Sequence, residues 1–154
     1  TGGSAFGLNA SSGVVKYLEE KDIGIKFGGN TIPLVPSAVI FDLNVGDPKI
    51  RPDVKEGYLA AKNASNTFEI GKVGVGTGCT VGKLLGSKHS MQGGLGFSSH
   101  TFDDGTSISC LVAVNALGSI VNPENGNIIA GPKRDGKIFD RIQRVRYRVF
   151  CKDY

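Results

Sequence analysis

Phe6, Ala10, Val14, Tyr17 and Leu18 follow one another at the three- and four-residue steps of a single helix face. The spacing predicts a helix over residues 4–21, with Ser4 as N-cap and Glu19-Glu20-Lys21 at its end. Gly7 and Gly13 inside it each cost about 1 kcal/mol relative to Ala, so their use predicts a close backbone approach. Residues 32–43 are rich in β-branched and apolar types but broken by Pro33 and Pro36, which predicts a strand that begins after Pro36. Asp47-Pro48 and Arg51-Pro52 mark a loop. Pro52 then suits the first turn of a second helix running to about Asn66, with Val54, Tyr58 and Ala61 on one face.

From Gly71 onward the period changes from helical to alternating. Strands are predicted over residues 73–81, 94–102 and 107–116, the last two joined at Asp104-Gly105, a strong hairpin signal. A second hairpin pairs residues 117–121 with 128–130 across Asn122-Pro-Glu-Asn-Gly126. Helices and antiparallel strands arranged in blocks predict a layered α+β domain. With no repeat and no low-complexity linker, one domain is expected over residues 1–139. Arg141, Arg144, Arg146, Arg148 and Lys152 set residues 140–154 apart as a basic tail, within which residues 141–150 alternate loosely enough for an edge strand.

Composition narrows the function classes. The 154 residues carry 18 Lys+Arg against 14 Asp+Glu. Setting aside the tail's five basic and two acidic residues leaves 13 against 12, so the body is nearly neutral. Phe6, Phe27, Phe41, Phe68 and Phe97 stand apart from any basic cluster, which argues against a nucleic-acid platform. A 40% hydrophobic content excludes a disordered chain and promises a sizeable core. No apolar run approaches the roughly 18 residues of a membrane span. Cys79, Cys110 and Cys151 match neither a disulfide framework nor zinc-ligand spacing. Buried free thiols in a reducing, cytoplasmic compartment are expected, with no metal.

Gly74-Val-Gly-Thr-Gly-Cys-Thr-Val-Gly-Lys83 invites a phosphate-loop reading, but its spacing fails. A Walker loop needs Gly where Thr77 stands and Ser or Thr where Leu84 stands; the dinucleotide fingerprint needs Gly or Ala where Val81 stands. Two readings stay open: tight packing, or a wall of backbone (Gly78 included) and a cationic Lys83 lining an active-site cleft. His89 and His100 lack a carboxylate at a recognisable spacing, and Ser98-Ser99 is not set in a nucleophile elbow, so no internal catalytic triad is supported. Asp103-Asp104 reads as turn. Asn115 closes the apolar run Cys110-Leu-Val-Ala-Val114, where an amide is costly without a partner. It is either satisfied by backbone or aimed into a cleft as an oxyanion donor.

Together the strings Thr1-Gly-Gly-Ser-Ala-Phe-Gly-Leu8, Val35-Pro-Ser-Ala-Val-Ile-Phe-Asp-Leu43, Arg51-Pro-Asp53, Gly57-Tyr58, the glycine segment ending at Lys83, Gly93-Gly-Leu-Gly96 and Val114-Asn-Ala-Leu-Gly118 resemble the DmpA family. These are self-processing N-terminal-nucleophile hydrolases, among them L-aminopeptidase/D-esterases, β-aminopeptidases and nylon-oligomer hydrolases. The likeness runs in order from Thr1 to about Gly131. It implies an α/β/β/α sandwich, shared with ornithine acetyltransferases, and a precursor that cuts itself before a Ser or Thr. The freed α-amine and hydroxyl then serve as base and nucleophile. It also implies a homo-oligomer, a peptide or small-amide substrate and no cofactor.

Residue by residue, the resemblance implies that Lys83 helps activate or orient the nucleophile and that Asn115 holds the oxyanion. Phe41 takes an aromatic position where several members carry Tyr, and so lacks the hydroxyl. Val39 stands where members that accept free-amine peptides carry an acid, and Asp42 is the nearest carboxylate. The family places its nucleophile well after Ile128-Ile-Ala-Gly131. The chain is therefore expected to be an incomplete piece of the α-subunit, inactive without a nucleophile-bearing partner, its tail foreign to the family. The alternatives are a non-catalytic assembly module on the same scaffold, or an acyltransferase.

Overall fold

A computed structural model describes residues 1–139. The basic tail, its expected edge strand and Cys151 lie outside the described residues. The first helix forms in two parts. A 3-10 turn, Ser4–Asn9, leads into α1, Ala10–Glu20. Ser4 is not the cap. Gly3 holds that place with φ 83°, and Ser4 follows at φ 52°, because the chain reverses sharply there to run alongside residues 38–42. Helix α2 is Val54–Lys62, shorter than expected at both ends. Pro52 stays outside it: Asp53 caps the helix, accepting from Lys55 N–H while Glu56 accepts from Asp53 N–H, and Asn63 ends it.

The two helices meet through glycine. A Cβ on Gly13 would overlap the Val54 carbonyl oxygen, and one on Gly57 would overlap that of Ala10. Tyr17 and Tyr58 pack edge to face at 5.5 Å, and the Tyr58 hydroxyl donates to Glu20 at 2.7 Å.

Among the described residues the strands form five antiparallel two-stranded ladders. β1 (Ile25–Phe27) pairs β2 (Asn30–Ile32), and β3 (Thr80–Val81) pairs β4 (Met91–Gln92). β5 (Gly94–Thr101) pairs β6 (Ser107–Val114) over eight residue pairs, with the Asp104 carboxylate capping the turn at Thr106 N–H. β7 (Ile120–Val121) pairs β8 (Ile128–Ala130), and β9 (Lys133–Arg134) pairs β10 (Lys137–Ile138). Mixed helix and strand content makes the fold α+β.

Two expected strands are corrected. Residues 37–42 form no strand and join no ladder among the described residues, and bond instead to the N-terminal turn: Thr1 N–H donates to Ala38, Ile40 N–H to Thr1 and Ser4 N–H to Ile40. Within residues 73–81 only β3 is strand. Gly74–Gly78 winds as a 3-10 turn because Gly76 is wedged against the Gly71 carbonyl and the Leu95 amide.

Among the described residues the sequestered apolar side chains are few: Ala10, Cys79, Val81, Ala130 and Pro132. The sizeable core expected from composition is therefore small, since β5–β6 is only two strands wide and leaves Phe97, Ile108 and Leu111 exposed. Cys79 is buried as expected, but Cys110, in the middle of that hairpin, is exposed. No helix among the described residues is long and apolar enough to cross a membrane.

Candidate active site

Lys83 follows β3 through Gly82, whose φ of 72° turns the chain out of the strand. The N–H groups of Gly82 and Lys83 donate to Gly118 and Leu117 at 2.7 and 2.9 Å, which fixes the base of the lysine beside the end of β6. Its ammonium donates to Asn115 Oδ1 at 2.7 Å and to the Asn115 carbonyl at 3.1 Å. These residues are 32 apart in sequence and meet because β6 ends one residue before Asn115.

Asn115 is half-buried and bonded at both ends of its amide. Oδ1 also accepts from Thr80 N–H at 3.0 Å, and Nδ2 donates to the Phe41 carbonyl at 2.8 Å. Two donors on one side and a carbonyl on the other define which atom is oxygen and which nitrogen. Nδ2 carries two hydrogens, so one remains after the bond to Phe41.

Asn115 lines an open groove of about 520 Å³ together with Val39, Phe41, Val112 and Val114. Of the residues singled out from sequence, Lys83, Asn115, Phe41 and Val39 thus come together. Gly78 does not join them. It is buried against the Asp42 side chain and lines a separate cavity of about 580 Å³ with Thr1, Val14 and Ala60. His89 contacts the Lys133 carbonyl and His100 packs on Phe102, both away from the groove.

Burial holds the Lys83 amine below the ordinary lysine value, the nearby Cys79 acting weakly the other way. Burial first, and then the charge of Asp42, pushes the Cys79 thiol up. A discouraged thiolate is a poor nucleophile. Two supports carried no sequence signal. Thr80 contributes only its backbone. Gln92 Nε2 spans the Gly76 and Cys79 carbonyls at 3.1 and 2.8 Å, tying the glycine turn to β4.

The sequence model of peptidase family S58 matches residues 1–136. A protein of Mycobacterium leprae named an uncharacterized aminopeptidase is 40% identical, the match covering 81% of this chain and 35% of the relative. One of the same description from Mycobacterium tuberculosis is 42% identical, over 81% of this chain and 34% of the relative. The chain spans about a third of the length of these curated relatives.

Proposed function

The chain belongs to peptidase family S58, and from that membership we propose that it supplies the oxyanion-binding part of an amide-bond hydrolase, an aminopeptidase or small-amide hydrolase. The observation that carries this reading is the clamped amide of Asn115, a groove-lining residue held at Oδ1 by Lys83 and Thr80 and at Nδ2 by the Phe41 carbonyl. A donor fixed before the reaction begins costs no reorganisation when charge develops.

In this reading the nucleophile is the hydroxyl of an N-terminal Ser or Thr in a segment outside these residues, freed by self-cleavage and completing a layered α/β/β/α scaffold. The hydroxyl attacks the scissile carbonyl carbon, and its proton passes to the free α-amine. The carbonyl oxygen becomes an alkoxide and accepts from Asn115 Nδ2. The C–N bond then breaks as the α-ammonium returns the proton to the leaving amine. Water repeats the sequence on the acyl-enzyme. Lys83 acts through Asn115, its positive charge drawing electron density toward Oδ1 and strengthening Nδ2–H as a donor.

The test is Asn115→Ala in a protein of the family's full length that carries this segment, assayed with a panel of aminoacyl p-nitroanilides. Loss of one oxyanion donor predicts a fall in kcat of roughly 10²–10³. Unchanged kcat with a lowered melting temperature would return Asn115 to a structural role and remove the proposal.

A further inference from the structure

We propose that Asp42 is a positioning residue for Asn115, acting through the Phe41 carbonyl; this rests on the reading of Asn115 as the oxyanion donor. The carbonyl that receives Asn115 Nδ2 belongs to the peptide plane joining Phe41 to Asp42. Whatever fixes Asp42 therefore fixes the acceptor.

The Asp42 side chain is seated in a slot made by three glycines. Oδ1 accepts from Gly3 N–H at 2.7 Å. A Cβ on Gly2 would come within 2.5 Å of Oδ2, and one on Gly78 within 2.6 Å of the Asp42 Cβ, so only residues without a side chain leave room for the carboxylate. Gly2, Gly3 and Gly78 are all buried.

Upstream of Phe41 the backbone is laced to Thr1 and Ser4 at Ala38 and Ile40; downstream, the Asp42 carbonyl accepts from Val45 N–H at 2.9 Å and Asn44 Nδ2 donates to Ser87 at 3.4 Å. The Asp42 carboxylate, bound to Gly3 N–H, is the side-chain tie immediately downstream of Phe41. Phe41 is thus strung between two anchors, lining the groove with its carbonyl turned to Asn115. Lys83 and Thr80 set the oxygen end of the Asn115 amide, and the Asp42-anchored carbonyl sets the nitrogen end. A rotation of the Phe41–Asp42 plane would leave Nδ2 without its acceptor and free the amide to turn about its last torsion.

The test follows the Asn115 side-chain NH₂ pair in a ¹H–¹⁵N spectrum, assigned by its loss in Asn115→Ala, beside steady-state kinetics of the full-length protein. Asp42→Ala is expected to move the pair toward the positions of a free amide. It should lower kcat by about tenfold or more, with KM within about twofold, because the donor matters when charge develops. Asp42→Asn keeps an oxygen for Gly3 N–H in the same volume and is expected to restore both the signals and most of kcat. If Asp42→Ala does not fold, Asp42→Glu, one methylene too long for the slot, is expected to give the same displaced signals. Unmoved Asn115 signals in a folded Ala or Glu variant overturn the proposal, even if stability falls. Displaced signals with kcat unchanged uphold the positioning and instead reject Asn115 as the oxyanion donor.

Discussion

Lys83 Nζ sits 2.7 Å from Asn115 Oδ1 and 3.1 Å from the same residue's carbonyl oxygen, so one ammonium holds both the side chain and the main chain of the residue that follows β6. Charge-assisted bonds of this length are stronger than neutral ones. On the proposed reading, this contact makes the two residues act as one unit rather than as two independent contributors.

Their substitutions should accordingly not add. In the full-length protein, Lys83→Met and Asn115→Ala each lower kcat/KM, and the double variant should be little worse than Asn115→Ala alone. A double-mutant cycle is expected to give a coupling of about 0.5–3 kcal/mol. Simple additivity would assign Lys83 and Asn115 to separate tasks.

The buried amine also leaves a signature in stability. Because burial holds Lys83 below the ordinary value of 10.5, the folded chain binds fewer protons than the unfolded chain between the two values. Stability from this group therefore rises with pH through that window and levels off above 10.5. Cys79 works in the opposite sense. Its thiol is raised above 9.0, so the unfolded chain loses that proton first and stability falls as pH climbs past 9.0. Urea midpoints measured from about pH 8 to pH 10.5 should therefore decline more steeply in Lys83→Met than in the parent. Parallel profiles would show that the amine is not desolvated in solution.

Burial separates the thiols chemically as well. Cys79 is fully buried and donates to the Val75 carbonyl at 3.3 Å, whereas Cys110 is exposed on β6. Thiolate chemistry needs both ionisation and access. Brief treatment of the folded chain with iodoacetamide, followed by peptide mass mapping, should modify Cys110 and leave Cys79 intact until denaturant is added. Equal labelling of the two would contradict the packing of the glycine turn around Cys79.

Local chemistry made part of this fold legible in the sequence. Asp104-Gly105 and the turn at residues 122–126 sit where hairpins form, because a short glycine- or proline-bearing turn fixes strand register without help from elsewhere. The same rule was available at Gly28-Gly29 and Asp135-Gly136, which close β1–β2 and β9–β10 and which the alternation of apolar residues alone did not reveal. The 3-10 turn at Gly74–Gly78 could not be read locally, since contacts from Gly71 and Leu95 impose it. Likewise nothing in the spacing of Lys83 and Asn115 brings them together. The glycine segment and the apolar run singled out the two residues and the resemblance gave them roles, but the bond between them depends on where β3 and β6 end.

The contact between α1 and α2 gives a test in which two effects oppose. Gly57→Ala in α2 gains about 1 kcal/mol of helix propensity. The added Cβ, however, would lie 2.7 Å from the Ala10 carbonyl carbon and overlap its oxygen, and that neighbour is helix backbone, which cannot turn aside as a side-chain tip can. Separating the helices to make room would also pull Tyr58 from Tyr17 and Glu20. Overpacking of this kind costs about 1–3 kcal/mol, so the net change is expected to be destabilising despite the better helix former. Asp53→Ala offers the comparison, because it removes the cap at the start of the same helix without touching the contact and should cost about 0.5–2 kcal/mol. Chemical denaturation of both variants and of the pair decides the matter. A Gly57→Ala chain more stable than the parent would mean that the two helices do not approach as closely in solution as their glycines allow.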